Sequence, residues 1–422
     1  MEVKMLEEMG KRAKTAARQL AALGTAHKQA FLETLAGQLW SRRAEIIQAN
    51  QGEVEAARKD GLDAAMIDRL VINEKRMQEI TGDLRRVASL PDPVGETYEP
   101  VTLPNGLQLH KMRVPIGVLA VIYESRPNVT IDIAGLAFKS GNAVILRGGS
   151  ETLATNRCMI AVIHQALSEN NLPVDAVQFI DSPDRALVGA LLRLHDYVDM
   201  LIPRGGASLH KFCRENSSIP VITGGMGICH LYVDSSADLD KSLEVITNAK
   251  VQRPTVCNAL DTVLVNRSVA QAFLPRLAAH LAGLGVSFRA HPSALPYLAS
   301  QPGLPLQPAG PDDFDTEWMS LVLGLKVVDD LETAIEHINN HSQGHSDGIL
   351  TADSEHASQF VALVDSAAVY VNASTRFTDG GQFGMGAEVA ISTQRLHARG
   401  PMGLRELTTY KWVGQGQYHI RS

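Results

Sequence analysis

Gly117-Val118-Leu119-Ala120-Val121-Ile122-Tyr123 is a short, unbroken apolar run, followed by an amphipathic stretch at 129–138 and a second apolar run, Ala143-Val144-Ile145-Leu146. Strands covered on both faces read this way, continuous rather than alternating, and the stretch between them is long enough for a helical crossover. The pattern goes on downstream with a helix at 152–167, a strand at 176–180, a helix at 185–194 and a strand at 198–201. Repeated βαβ units with right-handed connections build a parallel sheet, so this region reads as a Rossmann-like α/β domain.

Sheets of this kind bind ligands beyond the carboxyl ends of their strands. Three loops lie there: Glu124-Ser125-Arg126-Pro127-Asn128, Arg147-Gly148-Gly149-Ser150 and Pro203-Arg204-Gly205-Gly206-Ala207-Ser208. An Arg beside Gly-Gly lets backbone amides approach an anion while the guanidinium supplies charge. Gly-Gly alone often serves only to turn the chain; two such loops at strand ends point to an anionic cofactor. No GxGxxG fingerprint follows a strand and no Walker A motif is present, so the cofactor is held in another way.

On the amino-terminal side, residues 14–23, 27–49 and 53–57 carry apolar side chains at three- and four-residue spacing, and Pro91, Pro93 and Gly95 close this helical block. Residues 98–101 and 107–112, around Pro104-Asn105-Gly106, read as an antiparallel hairpin with a type I′-like turn. On the carboxyl-terminal side βα alternation resumes, with strands at 229–233, 262–265, 286–290, 321–328 and 348–351 and helices at 238–250, 269–284, 331–339 and 355–364. Residues 372–386 are rich in Gly and polar groups and read as the wall of a site, and 407–414 as an edge strand.

The loop Gln252-Arg253-Pro254-Thr255-Val256-Cys257-Asn258-Ala259 opens a strand of this second region. A catalytic thiolate needs an exposed, electropositive setting, and Lys250 and Arg253 stand within seven residues of Cys257. Taken alone the segment leaves open a second reading, a small buried hydrophobe. Cys158, Cys213 and Cys229 read as packing residues. With no CxxC pair and no histidines at zinc spacing, neither a metal site nor a disulfide framework is visible.

The chain has 422 residues, 45% hydrophobic and 20% charged, with a formal net charge of −7. That describes a soluble globular protein of two domains and argues against bulk attraction to nucleic acid or anionic lipid. The amino terminus lacks the apolar core of a signal peptide and no run reaches the length of a membrane span, so a cytoplasmic address is expected.

Four motifs together carry a resemblance: Val114-Pro115-Ile116-Gly117-Val118 leading into Glu124-Ser125-Arg126-Pro127-Asn128, Ile202-Pro203-Arg204-Gly205-Gly206, the Cys257 loop, and Phe377-Thr378-Asp379-Gly380-Gly381-Gln382-Phe383-Gly384. Over nearly its whole length the chain resembles the aldehyde dehydrogenase superfamily, and more closely its γ-glutamyl phosphate reductase branch. The resemblance implies an aldehyde dehydrogenase-like α/β fold of two Rossmann-like domains plus a β-hairpin oligomerisation element. Residues 1–97 and 113–226 would form the NADP-binding domain, 227–400 the catalytic domain, and 98–112 with 401–422 the hairpin and tail that make a homodimer or homotetramer.

The implied reaction is reduction of L-glutamyl 5-phosphate by NADPH to L-glutamate 5-semialdehyde, with release of phosphate, through a thioester on Cys257. The side-chain amide of Asn128 and the backbone N–H of Cys257 would hold the oxyanion, a contact typically worth about 3 kcal/mol; Asn128 also reads as a helix N-cap. Arg147 stands where the superfamily has a lysine near the adenosine ribose, so its guanidinium suits a 2′-phosphate, with Gly148, Gly149 and Ser150 beside it. Gly205 and Gly206 would pass beneath the pyrophosphate, and Glu317 matches the glutamate that holds the nicotinamide ribose, although alone it reads equally as a surface charge. Ser125, Arg126, Arg253, Arg376 and Asp379 are the candidates for binding substrate, and which Arg meets which anion is open. Where the oxidising members carry a water-activating glutamate, this chain reads Val221-Ile222-Thr223-Gly224-Gly225, which would spare the thioester from hydrolysis. The glutamate kinase fused to this reductase in some relatives is not expected within this length, and association with a separate glutamate 5-kinase is an expected partnership.

Overall fold

The computed structural model describes every residue except Met1, Asp63, Gly225, Met226, Ser300 and Ser422. Gly225 of the Gly-Gly pair and the expected domain boundary at 226 therefore lie outside the described residues. The chain forms two units, Met1–Thr223 with Gly384–Ala390 and Met402–Ser422, and Gly224–Phe383 with Ile391–Pro401.

In the first unit the strands Val177–Phe179, Ala143–Arg147, Val118–Tyr123 and Met200–Arg204 lie side by side in that order, all parallel. Every residue of Val118–Tyr123 is buried, as its unbroken apolar run requires. The chain builds outward from that strand through Ala143–Arg147 to Val177–Phe179, then crosses back to place Met200–Arg204 on its other side. The strand order thus reverses between Val118–Tyr123 and Met200–Arg204, which makes the loops after these two strands the natural ligand crevice of the sheet.

Five helices, Glu2–Ala21, Thr25–Ser41, Arg43–Lys59, Ala64–Leu70 and Glu74–Ser89, precede the sheet. The run expected at 27–49 is two helices, because the chain breaks at Arg42. The hairpin pairs Thr97–Thr102 with Gln108–Pro115, and Thr408–Gln415 adds a third antiparallel strand along Gln108–Pro115. The turn is not type I′, which needs two successive left-handed residues: of Pro104, Asn105 and Gly106 only Gly106 has positive φ, at 88°. Pro104 has its φ locked by the ring, and the Gly106 amide bonds back to the Leu103 carbonyl at 2.8 Å.

The second unit holds a seven-stranded sheet in the order Leu306–Pro308, Ser287–Ala290, Val322–Val328, Leu260–Asn266, Cys229–Val233, Ser346–Leu350, Ala368–Val371. All its pairings are parallel. Helices Leu239–Val251, Arg267–Gly283, Leu331–His341 and Ser354–Leu363 make the crossovers. Three begin on Asp side-chain caps, Asp238, Asp330 and Asp353, and Arg267–Gly283 begins on Asn266.

Candidate active site

At the reversal point of the first sheet two loops are tied together by Glu124. Its backbone N–H donates to the Arg204 carbonyl at 3.1 Å, and its carboxylate accepts from the Gly206 N–H at 3.1 Å, at the start of helix Ala207–Asn216. Gly205 is required by this arrangement, since a Cβ there would stand 2.3 Å from the Glu124 carboxylate. A Cβ on Gly206 would meet nothing within 4 Å. The space above Gly206 is therefore not filled by the chain, and it lies at an exposed helix start whose Gly206 N–H is held by Glu124.

The neighbouring loop is organised by a second carboxylate. Ser125 has a left-handed backbone, φ 49°, and both its N–H and its hydroxyl donate to Glu151, at 2.7 and 3.0 Å. Those bonds hold a conformation that a non-glycine residue seldom adopts. They also commit the Ser125 hydroxyl proton, expected for substrate, to the protein itself. Gly148 and Gly149 are buried and Ser150 is exposed, the last opening a short 3-10 turn. Arg126 is exposed.

Arg147 ends its strand with 9% of its surface exposed; its Nη2 donates to the Pro183 carbonyl at 3.4 Å, and its buried Nε has no partner. A buried, incompletely satisfied guanidinium at a strand end is a group that an anion would complete. The residues present thus fit a phosphorylated dinucleotide, with Arg147 and the open face of Gly206 as the points of support. His210, on the adjoining helix, is pushed down to about 4 by burial and by Arg204, so it is neutral at pH 7.

Asn128 is not an N-cap. The cap of helix Asn128–Lys139 is Pro127, and the Asn128 amide donates to Asp132 at 2.8 Å, which holds one of its two N–H groups. Burial raises the Asp132 carboxyl to about 6, against the opposing bond from Asn128. Ile222 exposes 3% of its surface, and its N–H bonds to the Leu201 carbonyl at 2.8 Å.

In the second unit the thiol loop lies at the amino end of its sheet. Cys257 precedes Leu260–Asn266, and Gly227 and Glu317 precede their own strands, Cys229–Val233 and Val322–Val328, on that side. Gly227 is pressed against the backbone of Cys257: a Cβ would fall 1.5 Å from the Cys257 carbonyl oxygen, so only glycine fits. The Gly227 N–H donates to Glu317 at 3.1 Å, and the buried Cys229 thiol donates to the Cys257 carbonyl at 3.3 Å. Burial pushes the Cys229 thiol far above its ordinary range, so it stays protonated and keeps that bond. Glu317 is half-buried and bonded rather than a solvated surface charge.

The loop Ser374–Asp379 is stitched to the thiol loop by Asn258. Its amide donates to the carbonyls of Thr378 and Arg376, at 2.9 and 3.4 Å, its side-chain oxygen accepts from the Arg376 guanidinium, and its own carbonyl accepts from Thr375 at 2.7 Å. Burial and the charge of Arg253 press the Arg376 guanidinium down, while Asp379 and the Cys257 and Cys229 sulfurs hold it up. Arg253, Asp379 and Cys257 therefore each stand within electrostatic reach of Arg376. Asp379 accepts from the N–H groups of Gly381 and Gln382, at 2.9 and 3.1 Å.

Lys250 is not a cation of this group. It is fully buried, its Nζ bonds the Leu260 carbonyl at 2.8 Å, and it lies 3.7 Å from Asp261; burial drives Lys250 down and Asp261 up to about 6. Asn258, Gly227, Glu124 and Glu151 were not singled out from sequence. Asn258 and Glu124 lay inside quoted motifs, whereas Gly227 and Glu151 carried no local signal. Among the described residues no group of three or more His, Cys, Asp or Glu is placed to hold a metal, and no helix is long and apolar enough to cross a membrane.

The model of the aldehyde dehydrogenase family matches residues 2–293 and 314–413. The gamma-glutamyl phosphate reductase of Serratia proteamaculans is 56% identical over 418 residues, covering 99% of this chain and all of that protein. That of Shewanella sediminis is 58% identical, covering 99% of this chain and 98% of its own length. The chain belongs to the gamma-glutamyl phosphate reductases of the aldehyde dehydrogenase family. The crystal structure of gamma-glutamyl phosphate reductase from Thermotoga maritima superposes with a TM-score of 0.96 at 45% identity over all of both chains. The fold is aldehyde dehydrogenase-like α/β, as the resemblance implied, and membership of this family makes the chain an oxidoreductase.

Proposed function

We propose that the chain reduces L-glutamyl 5-phosphate to L-glutamate 5-semialdehyde, with release of phosphate, in the synthesis of proline from glutamate. What carries the reading is near-full-length identity of 56–58% with relatives named for this reduction. The chemistry of the thiol loop supports it. The Cys257 sulfur attacks the acyl carbonyl, an S–C bond forms, and the C–O bond to phosphate breaks as phosphate leaves with the electron pair. Phosphate is a good leaving group, so no strong general acid is needed. NADPH, when bound, supplies the hydride that reduces the thioester carbonyl. The resulting thiohemiacetal expels the Cys257 thiolate and releases the aldehyde.

Other side chains divide the supporting roles. The Cys257 backbone N–H and the Asn128 amide, the latter assigned through its motif, stabilise the oxyanion. Arg147, Gly148, Gly149, Ser150, Gly205 and Gly206 hold the cofactor, and Glu317 its nicotinamide ribose. Arg376 and Arg253, with Arg126, meet the anionic groups of the substrate, and Asp379 its ammonium. The buried apolar Ile222 offers no base to activate water. The enzyme works as a cytoplasmic homo-oligomer, and because an acyl phosphate is labile in water, transfer from an associated glutamate 5-kinase suits it.

The test runs the reaction backwards with L-glutamate 5-semialdehyde and NADP+, with and without phosphate, following reduced nicotinamide by absorbance. NADPH forms only when phosphate is present, and Cys257→Ala abolishes its formation while leaving the circular dichroism unchanged. Turnover without phosphate, or survival of turnover in Cys257→Ala, overturns the reading.

A further inference from the structure

Arg147 is not alone at the end of its strand. The Ile180 N–H bonds the Leu146 carbonyl at 2.9 Å, so the loop after Val177–Phe179 runs beside the end of Ala143–Arg147. That loop folds over the guanidinium, since Nη2 of Arg147 donates to Pro183 at 3.4 Å. Two residues later comes Arg185, exposed at the head of the short helix Ala186–Leu191.

The carboxylates nearest in the chain are occupied elsewhere. Asp181 is paired with Arg157 at 2.6 Å, and Asp184 accepts the Ala186 N–H at 2.8 Å. Among the described residues the Arg185 guanidinium has no hydrogen bond or ion pair. The two arginines feel each other: Arg147 is pushed down first by burial and then, against the pull of Glu151, by the charge of Arg185. Two like charges held together, one buried with an orphaned Nε, are unfavourable in the protein alone and become favourable around a dianion.

We propose that Arg185 is a specificity-determining residue which, with Arg147, forms the subsite for a phosphomonoester, the 2′-phosphate of the cofactor. The inference rests on the reading of the chain as an NADPH-dependent reductase and goes beyond it, because it assigns the preference for NADPH over NADH to a residue outside the motif that carries Arg147. Arg147 is fixed by its strand and its buried neighbours; Arg185 approaches from the exposed side and closes on the phosphate.

Dissociation constants of NADPH and NADH, measured on the intact chain by nicotinamide fluorescence, test it. Arg185→Gln weakens NADPH by about tenfold or more, the usual loss for a hydrogen bond to a charged group, and changes NADH far less; Arg185→Lys restores part of the difference. In the backward reaction the KM of inorganic phosphate stays unchanged in Arg185→Gln. A preference for NADPH in the wild type that survives Arg185→Gln overturns this inference alone. So does a variant that loses affinity for phosphate and not for NADPH. A wild type that binds both cofactors equally overturns the NADPH reading as well.

Discussion

Asn258 acts on the thiol site without itself being a nucleophile or an acid. Its three side-chain contacts and its carbonyl join the residue after Cys257 to the loop that carries Arg376, so the position of the guanidinium relative to the sulfur is set by one amide. Asn258→Ala leaves Arg376 mobile and the Thr378 carbonyl short of a donor. The expected result is a KM for the acyl phosphate raised by about tenfold or more, with a smaller fall in kcat. Steady-state kinetics on a variant of unchanged circular dichroism decide it, and an unaltered KM would exclude the positioning role. Cys257, Arg253 and Arg376 stand forward as candidates through motifs taken together, since the thiol loop alone reads also as a small buried hydrophobe. The error on Lys250 has a plain cause. Seven residues of chain say nothing about which way a side chain points, and this one turns inward to Asp261 and the Leu260 carbonyl.

Among elements most could be read, and two short edge strands of the second sheet could not. Buried strands such as Val118–Tyr123 and helices with apolar spacing declare themselves, whereas Leu306–Pro308 and Ala368–Val371 are edge strands of three and four residues with no period to detect. The rule that places ligands at carboxyl ends singles out the loops of the first sheet, whereas in the second Cys257, Gly227 and Glu317 gather at the amino ends. Behind Glu317 the segment Asp313–Asp315 is held by helix Leu331–His341: Phe314 packs edge-on to His337, and His341 pairs with Asp315 at 2.8 Å. His337 exposes 4% of its surface; burial, then the charges of His230, Lys326, His341 and His291, lower it to about 2. A histidine depressed in the fold takes up its proton on unfolding, so stability falls as pH drops below the unfolded value of about 6.5. One such group removes about 2 kcal/mol between about pH 6.5 and about pH 5. His337→Gln keeps an acceptor for Lys326 and flattens this slope; urea unfolding of both proteins at neutral and mildly acid pH measures it, and parallel slopes would refute it.

At the scale of the whole molecule the least legible feature is the antiparallel sheet, because Thr408–Gln415 pairs with residues about three hundred positions earlier and no local pattern announces the partner. Its register aligns Tyr98, Lys111 and Trp412 in one row across three strands. Tyr410 stands next to that row, with the Lys111 ammonium 4.5 Å from its ring and 5.2 Å from that of Trp412. Tyr410 and Trp412 remain 47% and 56% exposed, and Thr408–Gln415 is an eight-residue edge strand. A long edge beside uncovered aromatic rings is a liability in a monomer and an asset in an assembly. A chain of formal net charge −7 does not attract its own copies at long range, so contact must come from such a surface. We therefore expect the sheet to bury this face against a second copy. Trp412→Glu places a carboxylate in that contact and shifts sedimentation-velocity profiles at micromolar concentration toward the 45.6 kDa monomer, while the far-ultraviolet spectrum holds. A wild type that already sediments as a monomer, or a variant whose mass does not change, removes this surface as the site of assembly.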